Sequence, residues 1–149
     1  MNIHEYQAKA LFKQYGVEIL EGIVASNSED AAKACSELGG KIWVVKAQVH
    51  AGGRGKGGGV KVAKSIDEVR EISDQIIGMN LITPQTSAEG KKVNQVLIAE
   101  DVYYPGNSEI KEFYMSVLLN RQTSKNMIMY STEGGVDIAV SYTHLRAHE

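Results

Sequence analysis

The sequence predicts a domain of the α+β class, and three observations support this prediction. Segments with helical and with strand character alternate through the first half of the chain, and strand-like segments dominate the second half. The 149 residues are enough for one domain with a hydrophobic core. Six glycines lie between Gly52 and Gly59, and the segments on both sides of this cluster have strand composition.

Three helices are predicted, each with a capping residue at its start and a glycine at its end. The first and third start at possible capping boxes, Asn2 with Glu5 and Ser65 with Glu68, and the hydroxyl of Ser28 is expected to cap the second. Apolar residues recur at helical spacing in the first and third helices. They are Ala8, Leu11, Phe12 and Tyr15 before Gly16, and Val69, Ile72 and Ile76 before Gly78.

Strands are predicted from β-branched and aromatic composition between these helices and after them. The loop between the fourth and fifth strands carries Pro105 and Gly106. The predicted strands cover residues 19–25, 41–47, 60–63, 94–99, 112–119 and 127–130.

Composition and charge exclude several classes of protein. Sixteen basic and 18 acidic side chains give a net charge of −2, which argues against nucleic-acid binding by bulk charge. The single cysteine, Cys35, excludes an intrachain disulfide and a cysteine-rich metal site. No apolar run reaches the roughly 18 residues of a membrane span, and the N-terminus lacks the pattern of a signal peptide, so a cytoplasmic protein is expected.

The glycine cluster matches two nucleotide-binding patterns only superficially. Gly53, Gly55 and Gly58 have the G-x-G-x-x-G spacing, but the dinucleotide fingerprint needs a helix after the loop, and the segment from Val60 has strand character. Lys56 is not followed by Ser or Thr, which excludes a Walker A loop. Neither a Rossmann fold nor a P-loop is therefore predicted.

A loop of small residues between two strands instead predicts a glycine-rich flap whose backbone can approach a polyphosphate closely. Arg54 and Lys56 add positive charge to this loop, and Lys46 lies at the end of the preceding strand. The alternative is a mobile surface loop with ordinary solvated cations. Glu100 and Glu112 are candidates to bind ribose hydroxyls, with solvated surface acids as the alternative, and His4 and His50 are expected to be structural.

Three long segments carry a family resemblance: Asn2–Lys9, Trp43–Lys56 and Ser131–Ile138. They closely resemble the β subunit of succinyl-CoA synthetase, the ADP-forming succinate–CoA ligase. The resemblance covers residues 1–138 and corresponds to the N-terminal part of a longer subunit. Residues 139–149 do not resemble the acidic helix that follows in the family, so we expect this tail to be foreign to it.

The resemblance implies the N-terminal portion of an ATP-grasp fold, a mixed sheet with flanking helices and a glycine-rich flap. By this likeness Lys46 contacts the phosphates of ATP or ADP, and Gly53, Arg54 and Gly55 form the flap contact. The segment that contacts adenine and ribose maps to residues 99–102, which include Ala99, Glu100 and Val102. By the same likeness Glu112 is a further carboxylate of the nucleotide site. Some members carry Glu at the position of Ala99, and in a strand the next residue, Glu100, lies on the other face.

The resemblance also implies an enzyme that interconverts succinyl-CoA, phosphate and ADP with succinate, CoA and ATP in the bacterial cytoplasm, as part of the tricarboxylic acid cycle. A partner α subunit, in an αβ or α2β2 assembly, carries the histidine that is transiently phosphorylated, so no catalytic residue is expected in this chain. The ligands for Mg²⁺ are expected beyond residue 149. The alternatives are the β subunit of a related ligase, such as malate–CoA ligase, and an inactive truncated fragment.

Overall fold

A computed structural model describes residues 3–101 and 111–132. The chain divides into two compact units, Met1–Val102 and Tyr103–Glu149. The described residues of the first unit form three helices and six strands. They are α1 (Glu5–Gln14), β1 (Gly22–Ala25), α2 (Ser28–Leu38), β2 (Trp43–Ala47), β3 (Val60–Ala63), α3 (Ile66–Ile76), β4 (Asn80–Leu81), β5 (Lys91–Lys92) and β6 (Val96–Glu100).

The main sheet of the first unit has four strands in the order β1-β6-β2-β3, and every neighbouring pair is antiparallel. The register of β2 against β6 places Lys46 opposite Leu97 and Trp43 opposite Glu100. Two short strands, β4 and β5, form a separate antiparallel pair that the sequence did not predict. At two residues each they are too short for a period-two pattern to be visible.

The hydrophobic core lies between one face of this sheet and helices α2 and α3. Burial alternates along β2, where Trp43, Val45 and Ala47 are buried, because successive side chains of a strand point to opposite faces. Val69 and Ile76 of α3 pack against this layer, as the apolar spacing of the third helix predicted. The α2/α3 face of the sheet is therefore occupied by the core, and a ligand site must lie elsewhere.

The helix starts confirm one capping prediction and correct two. The Ser65 hydroxyl accepts a hydrogen bond from the Glu68 amide at 3.1 Å, as predicted for α3. The cap of α2 is Asn27, whose side chain accepts from the Asp30 amide at 2.8 Å, and Ser28 is the first helical residue. The prediction of Ser28 as the cap was wrong because the two adjacent residues have similar capping chemistry.

Helix α1 has its N-cap two residues after the predicted one. The N-cap is His4, whose amide donates to Gln7 Oε1 at 2.8 Å. The predicted capping box between Asn2 and Glu5 is therefore wrong. The predicted apolar face of α1 is not buried: the Phe12 side chain is 55% exposed and Tyr15 is 84% exposed. Amphipathic spacing alone therefore predicted the helix correctly but not its burial.

The second unit contains one described hairpin, made by β7 (Tyr114–Asn120) and β8 (Lys125–Ser131). Its turn is stabilised by the Asn120 side chain, which accepts hydrogen bonds from the Gln122 and Thr123 amides. Glu112, expected at the start of a strand, precedes β7 by two residues. The predicted tail 139–149 lies outside the described residues. No helix in the described part of the chain is long and apolar enough to cross a membrane.

Candidate functional site

The glycine-rich loop joins two strands, as predicted, and the structure shows that these strands are adjacent and antiparallel. Residues 48–59 connect β2 to β3, and the Ala47 amide donates to the Gly59 carbonyl at 2.7 Å where the two strands meet. A strand follows the loop, so the loop does not provide the helix N-terminus on which a Rossmann fold binds pyrophosphate. Any anion site here must use the loop backbone and nearby cations.

Several amides of this loop already have protein acceptors. Those of Gly57, Gly58 and Gly59 donate to carbonyls within the loop, and the Gly52 amide donates to Gln85 Oε1 at 2.7 Å. The amides of residues 53–55 make no hydrogen bond to the part of the chain that the structure describes. These three donors belong to the residues predicted to contact phosphate, Gly53, Arg54 and Gly55.

Close packing explains some of the glycines. A Cβ atom at Gly57 would lie 2.3 Å from the Ile82 carbonyl oxygen, and one at Gly59 would lie 2.8 Å from Leu81 Cδ2. Only a residue without a side chain permits this approach of the loop to the segment after α3. The loop is therefore packed against the domain, which differs from the alternative of a loosely attached surface loop.

The two predicted phosphate-binding cations meet at a third residue, Glu5 of α1. Lys46 Nζ lies 3.3 Å from Glu5 Oε1, and Arg54 Nη2 lies 2.6 Å from Glu5 Oε2. Arg54 Nη1 also donates to the Ala47 carbonyl at 2.8 Å, which ties the loop to the end of β2. Lys9, one turn further along α1, places its ammonium 4.0 Å from Glu5. We call Glu5, Lys9, Lys46 and Arg54 the cation cluster.

The electrostatics of the cation cluster favour an anion. Burial would raise the pKa of Glu5, but the nearby Lys46 ammonium and the hydrogen-bonded Arg54 guanidinium outweigh burial and hold the pKa below its ordinary value. Burial lowers the pKa of Lys9, and the Lys46 charge lowers it further. With Glu5 ionised and the three cations protonated, the charges sum to 3 − 1 = +2. This positive centre suits a polyphosphate.

Sequence reasoning missed Glu5 and Lys9. Glu5 was interpreted only as part of a capping box, which is the usual meaning of an acid in the first turn of a helix. Lys46 and Arg54 lie 41 and 49 residues away from Glu5 along the chain, so no local pattern contains these two contacts. The only usable signal was that the segments Asn2–Lys9 and Trp43–Lys56 both carry the family resemblance. The resemblance does not show that these two segments are in contact.

The register of the sheet separates Glu100 from the cation cluster. Directly paired residues of neighbouring strands share a face, so Leu97 and Ala99 lie on the Lys46 face of the sheet. Glu100 pairs with Trp43 and lies on the opposite, α2/α3 face. The structure therefore places the Glu100 and Lys46 side chains on opposite faces of the sheet, and the nucleotide contact of Glu100 stays a prediction.

The remaining predicted contacts have different surroundings. Ala99 is fully buried, and its contact with the nucleotide stays a prediction. The Glu100 carboxylate lies over Gly40, where an added Cβ would approach Oε1 to 3.1 Å. Val102 lies outside the described residues. Glu112 belongs to the second unit, and its contact with the nucleotide stays a prediction.

Two histidines lie next to the cation cluster. The rings of His4 and His50 stack with their centroids 4.0 Å apart, which agrees with a structural role. Burial lowers the pKa of His4, and the charges of His50 and Arg54 lower it further. A cavity of about 390 Å³ beside them has no carboxylate in its lining. The lining residues are His4, Gln48, Val49, His50, Lys91, Lys92, Asn94 and Gln95.

Comparison with known proteins identifies the family of this domain. The family model of the ATP-grasp domain matches residues 2–143. Two relatives named succinate–CoA ligase [ADP-forming] subunit beta, from Flavobacterium psychrophilum and Christiangramia forsetii, are each 66% identical to this chain. The alignments cover 97% and 93% of this chain but 37% and 36% of the relatives, so the chain spans a little over a third of their length.

A solved structure shares the fold. The dinucleotide forming acetyl-coenzyme A synthetase 1 of Ca. Korarchaeum cryptofilum superimposes with a TM-score of 0.65 at 24% identity. This match covers 91% of the present chain and 55% of the other. The mixed α/β architecture, the loop between antiparallel strands and the family match agree, and the chain belongs to the ATP-grasp domain family.

Proposed function

We propose that this chain is the nucleotide-binding portion of a β subunit of ADP-forming succinate–CoA ligase. The observation that carries the proposal is the convergence of Lys46 and Arg54 at Glu5, together with three amides of the same loop that make no hydrogen bond to the described residues. The 66% identity to subunits of that name supports this reaction class. The bacterial relatives also support a place in the bacterial cytoplasm.

In this proposal the residues of the chain bind and orient the phosphates of ADP or ATP. Lys46 and Arg54 donate charge-assisted hydrogen bonds to phosphate oxygens, and the amides of residues 53–55 donate from the loop. Such donors are fixed before the reaction and stabilise the charge that is spread over the transferred group. We assign no covalent bond with substrate to any of the described residues.

The complete enzyme requires an α subunit that carries a phosphohistidine. The phosphorus–nitrogen bond of that histidine breaks, a bond to the terminal phosphate oxygen of ADP forms, and ATP leaves. Bound Mg²⁺ would neutralise phosphate charge in this step. No group of three or more His, Cys, Asp or Glu side chains within residues 3–101 and 111–132 can hold a metal ion. We propose that the ligands for Mg²⁺ lie beyond residue 149.

A second proposal concerns the 149 residues taken alone. They match little more than a third of the length of the relatives, and an ATP-grasp site needs walls from two subdomains. We expect these residues to form no succinyl-CoA with any substrate combination, with or without the α subunit. Turnover by the 149-residue protein would contradict this.

The test of nucleotide binding uses the full-length subunit that contains this chain, assembled with its α subunit. Lys46→Ala should weaken ADP binding about tenfold to a hundredfold, because a charged hydrogen bond contributes roughly 1.5–3 kcal/mol. The matched control is Lys61→Ala on β3, since Lys61 pairs with Val45 and lies on the other face of the sheet. Calorimetry that finds unchanged ADP affinity for Lys46→Ala would refute the assignment.

The acid substrate is tested in the same preparation. Succinate and malate are supplied in turn with CoA and ATP, and the proposal expects succinyl-CoA as the main product. Faster turnover with malate would favour the related malate–CoA ligase.

A further inference from the structure

We propose that Glu5 is a positioning residue of the anion site, which orients Lys46 and Arg54 for phosphate. This inference rests on the proposed function of these two cations and adds a residue that the sequence motif did not assign. Glu5 does not touch the nucleotide in this account. It acts through the two side chains that do.

The geometry of the carboxylate supports this role. Its two oxygens are divided between the two cations, one at 3.3 Å from Lys46 Nζ and the other at 2.6 Å from Arg54 Nη2. The three residues come from three different elements: helix α1, strand β2 and the glycine-rich loop. A single carboxylate therefore connects the helix, the sheet and the loop at the point where the anion is expected.

The physical need for such a residue follows from the side chains themselves. Lys and Arg have long flexible stems, and ordering them at the moment of binding costs affinity. The side chains of Glu5, Lys46 and Arg54 are only 21–25% exposed, so water screens their contacts less than those of a surface ion pair. A partly buried carboxylate that holds both cations before the ligand arrives lowers the ordering cost.

The charge of Glu5 does not abolish the attraction for an anion. The charged groups that face it are Lys9 on α1, Lys46 on β2 and Arg54 on the loop, and the sum of the four remains +2. The stacked His4 and His50 lie beside the cation cluster. A ligand with several negative charges is still attracted while Glu5 stays in place.

The test separates position from charge in the full-length subunit with its α subunit. Glu5→Asp keeps the negative charge but shortens the side chain by one methylene, so it cannot reach both cations. We expect its Kd for ADP, measured by calorimetry, to rise about tenfold. The matched control is Glu29→Asp, which shortens an exposed carboxylate that also pairs with an arginine, Arg70, and should change the Kd less than about twofold.

A double-mutant cycle distinguishes a positioning role from general damage to the fold. If Glu5 acts through Lys46, Glu5→Asp should weaken ADP binding less in a Lys46→Ala background than in the parent. Equal weakening in both backgrounds, or an unchanged Kd for Glu5→Asp, would overturn the proposal. Glu5→Gln, which keeps the length and loses the charge, repeats the cycle if Glu5→Asp fails to fold.

Failure of this inference differs from failure of the proposed function. If Lys46→Ala weakens ADP binding and the Glu5 variants do not, the anion site stands and Glu5 has no positioning role. If Lys46→Ala binds ADP like the parent, the proposed function itself is wrong.

Discussion

Gly57→Ala should destabilise the protein through a clash that can be measured on the structure. The added Cβ would lie 2.3 Å from the Ile82 carbonyl oxygen. This distance is 0.7 Å shorter than 3.0 Å, and Cβ atoms in real structures essentially never make contacts shorter than 3.0 Å. It would also lie 2.9 Å from Leu81 Cδ1, so both a backbone and a side-chain neighbour must move. Overpacking of this kind typically costs about 1–3 kcal/mol of unfolding free energy.

Gly55→Ala is the matched control for that prediction, in the same loop. No atom lies within 4 Å of its added Cβ, and its φ is outside the left-handed region. The change should be neutral or stabilise the protein by up to about 1 kcal/mol, because alanine restricts the unfolded chain. Urea denaturation of the full-length protein and both variants, followed by circular dichroism, measures the difference. Equal stability of Gly57→Ala and Gly55→Ala would refute the packing explanation of the loop glycines.

Two further predictions concern α2. Asn27→Ala should lower the unfolding free energy by about 0.5–2 kcal/mol through loss of the helix cap, while Ser28→Ala should have little effect. A larger loss of stability for Ser28→Ala than for Asn27→Ala in urea denaturation would show that Ser28 is the cap. Cys35 is 1% exposed, and burial raises its pKa, so alkylation followed by peptide mass spectrometry should label it slowly in the folded protein and quickly in urea. Equal labelling rates in the two conditions would contradict its burial in the core.

Local sequence signals predicted most of the fold of the first unit. The Ser65 cap and the apolar spacing of α3 lie within a few residues of each other, and the structure has both. The error at Asn27 arose because two capping residues stand side by side, and only the backbone decides which one leaves the helical conformation. The short β4–β5 pair depends on contacts distant in sequence, so composition could not reveal it.

The site was harder to predict because its decisive contacts connect distant segments. Strand alternation correctly placed Ala99 and Glu100 on opposite faces, but only the β2–β6 register shows which face holds Lys46. The glycines at 57 and 59 suggested room for a phosphate, whereas the fold also requires them for close packing. Glu5 could not be assigned at all, since a helix-capping acid and an ion-pair acid look the same in a sequence.

The most direct measurement is a crystal structure of the full-length protein with ADP bound. We expect phosphate oxygens within about 3.2 Å of Lys46 Nζ and of the amides of residues 53–55, with Glu5 still bridging Lys46 and Arg54. A nucleotide whose phosphates lie on the α2/α3 side of the sheet, or anywhere out of reach of Lys46 and Arg54, would contradict the proposed site.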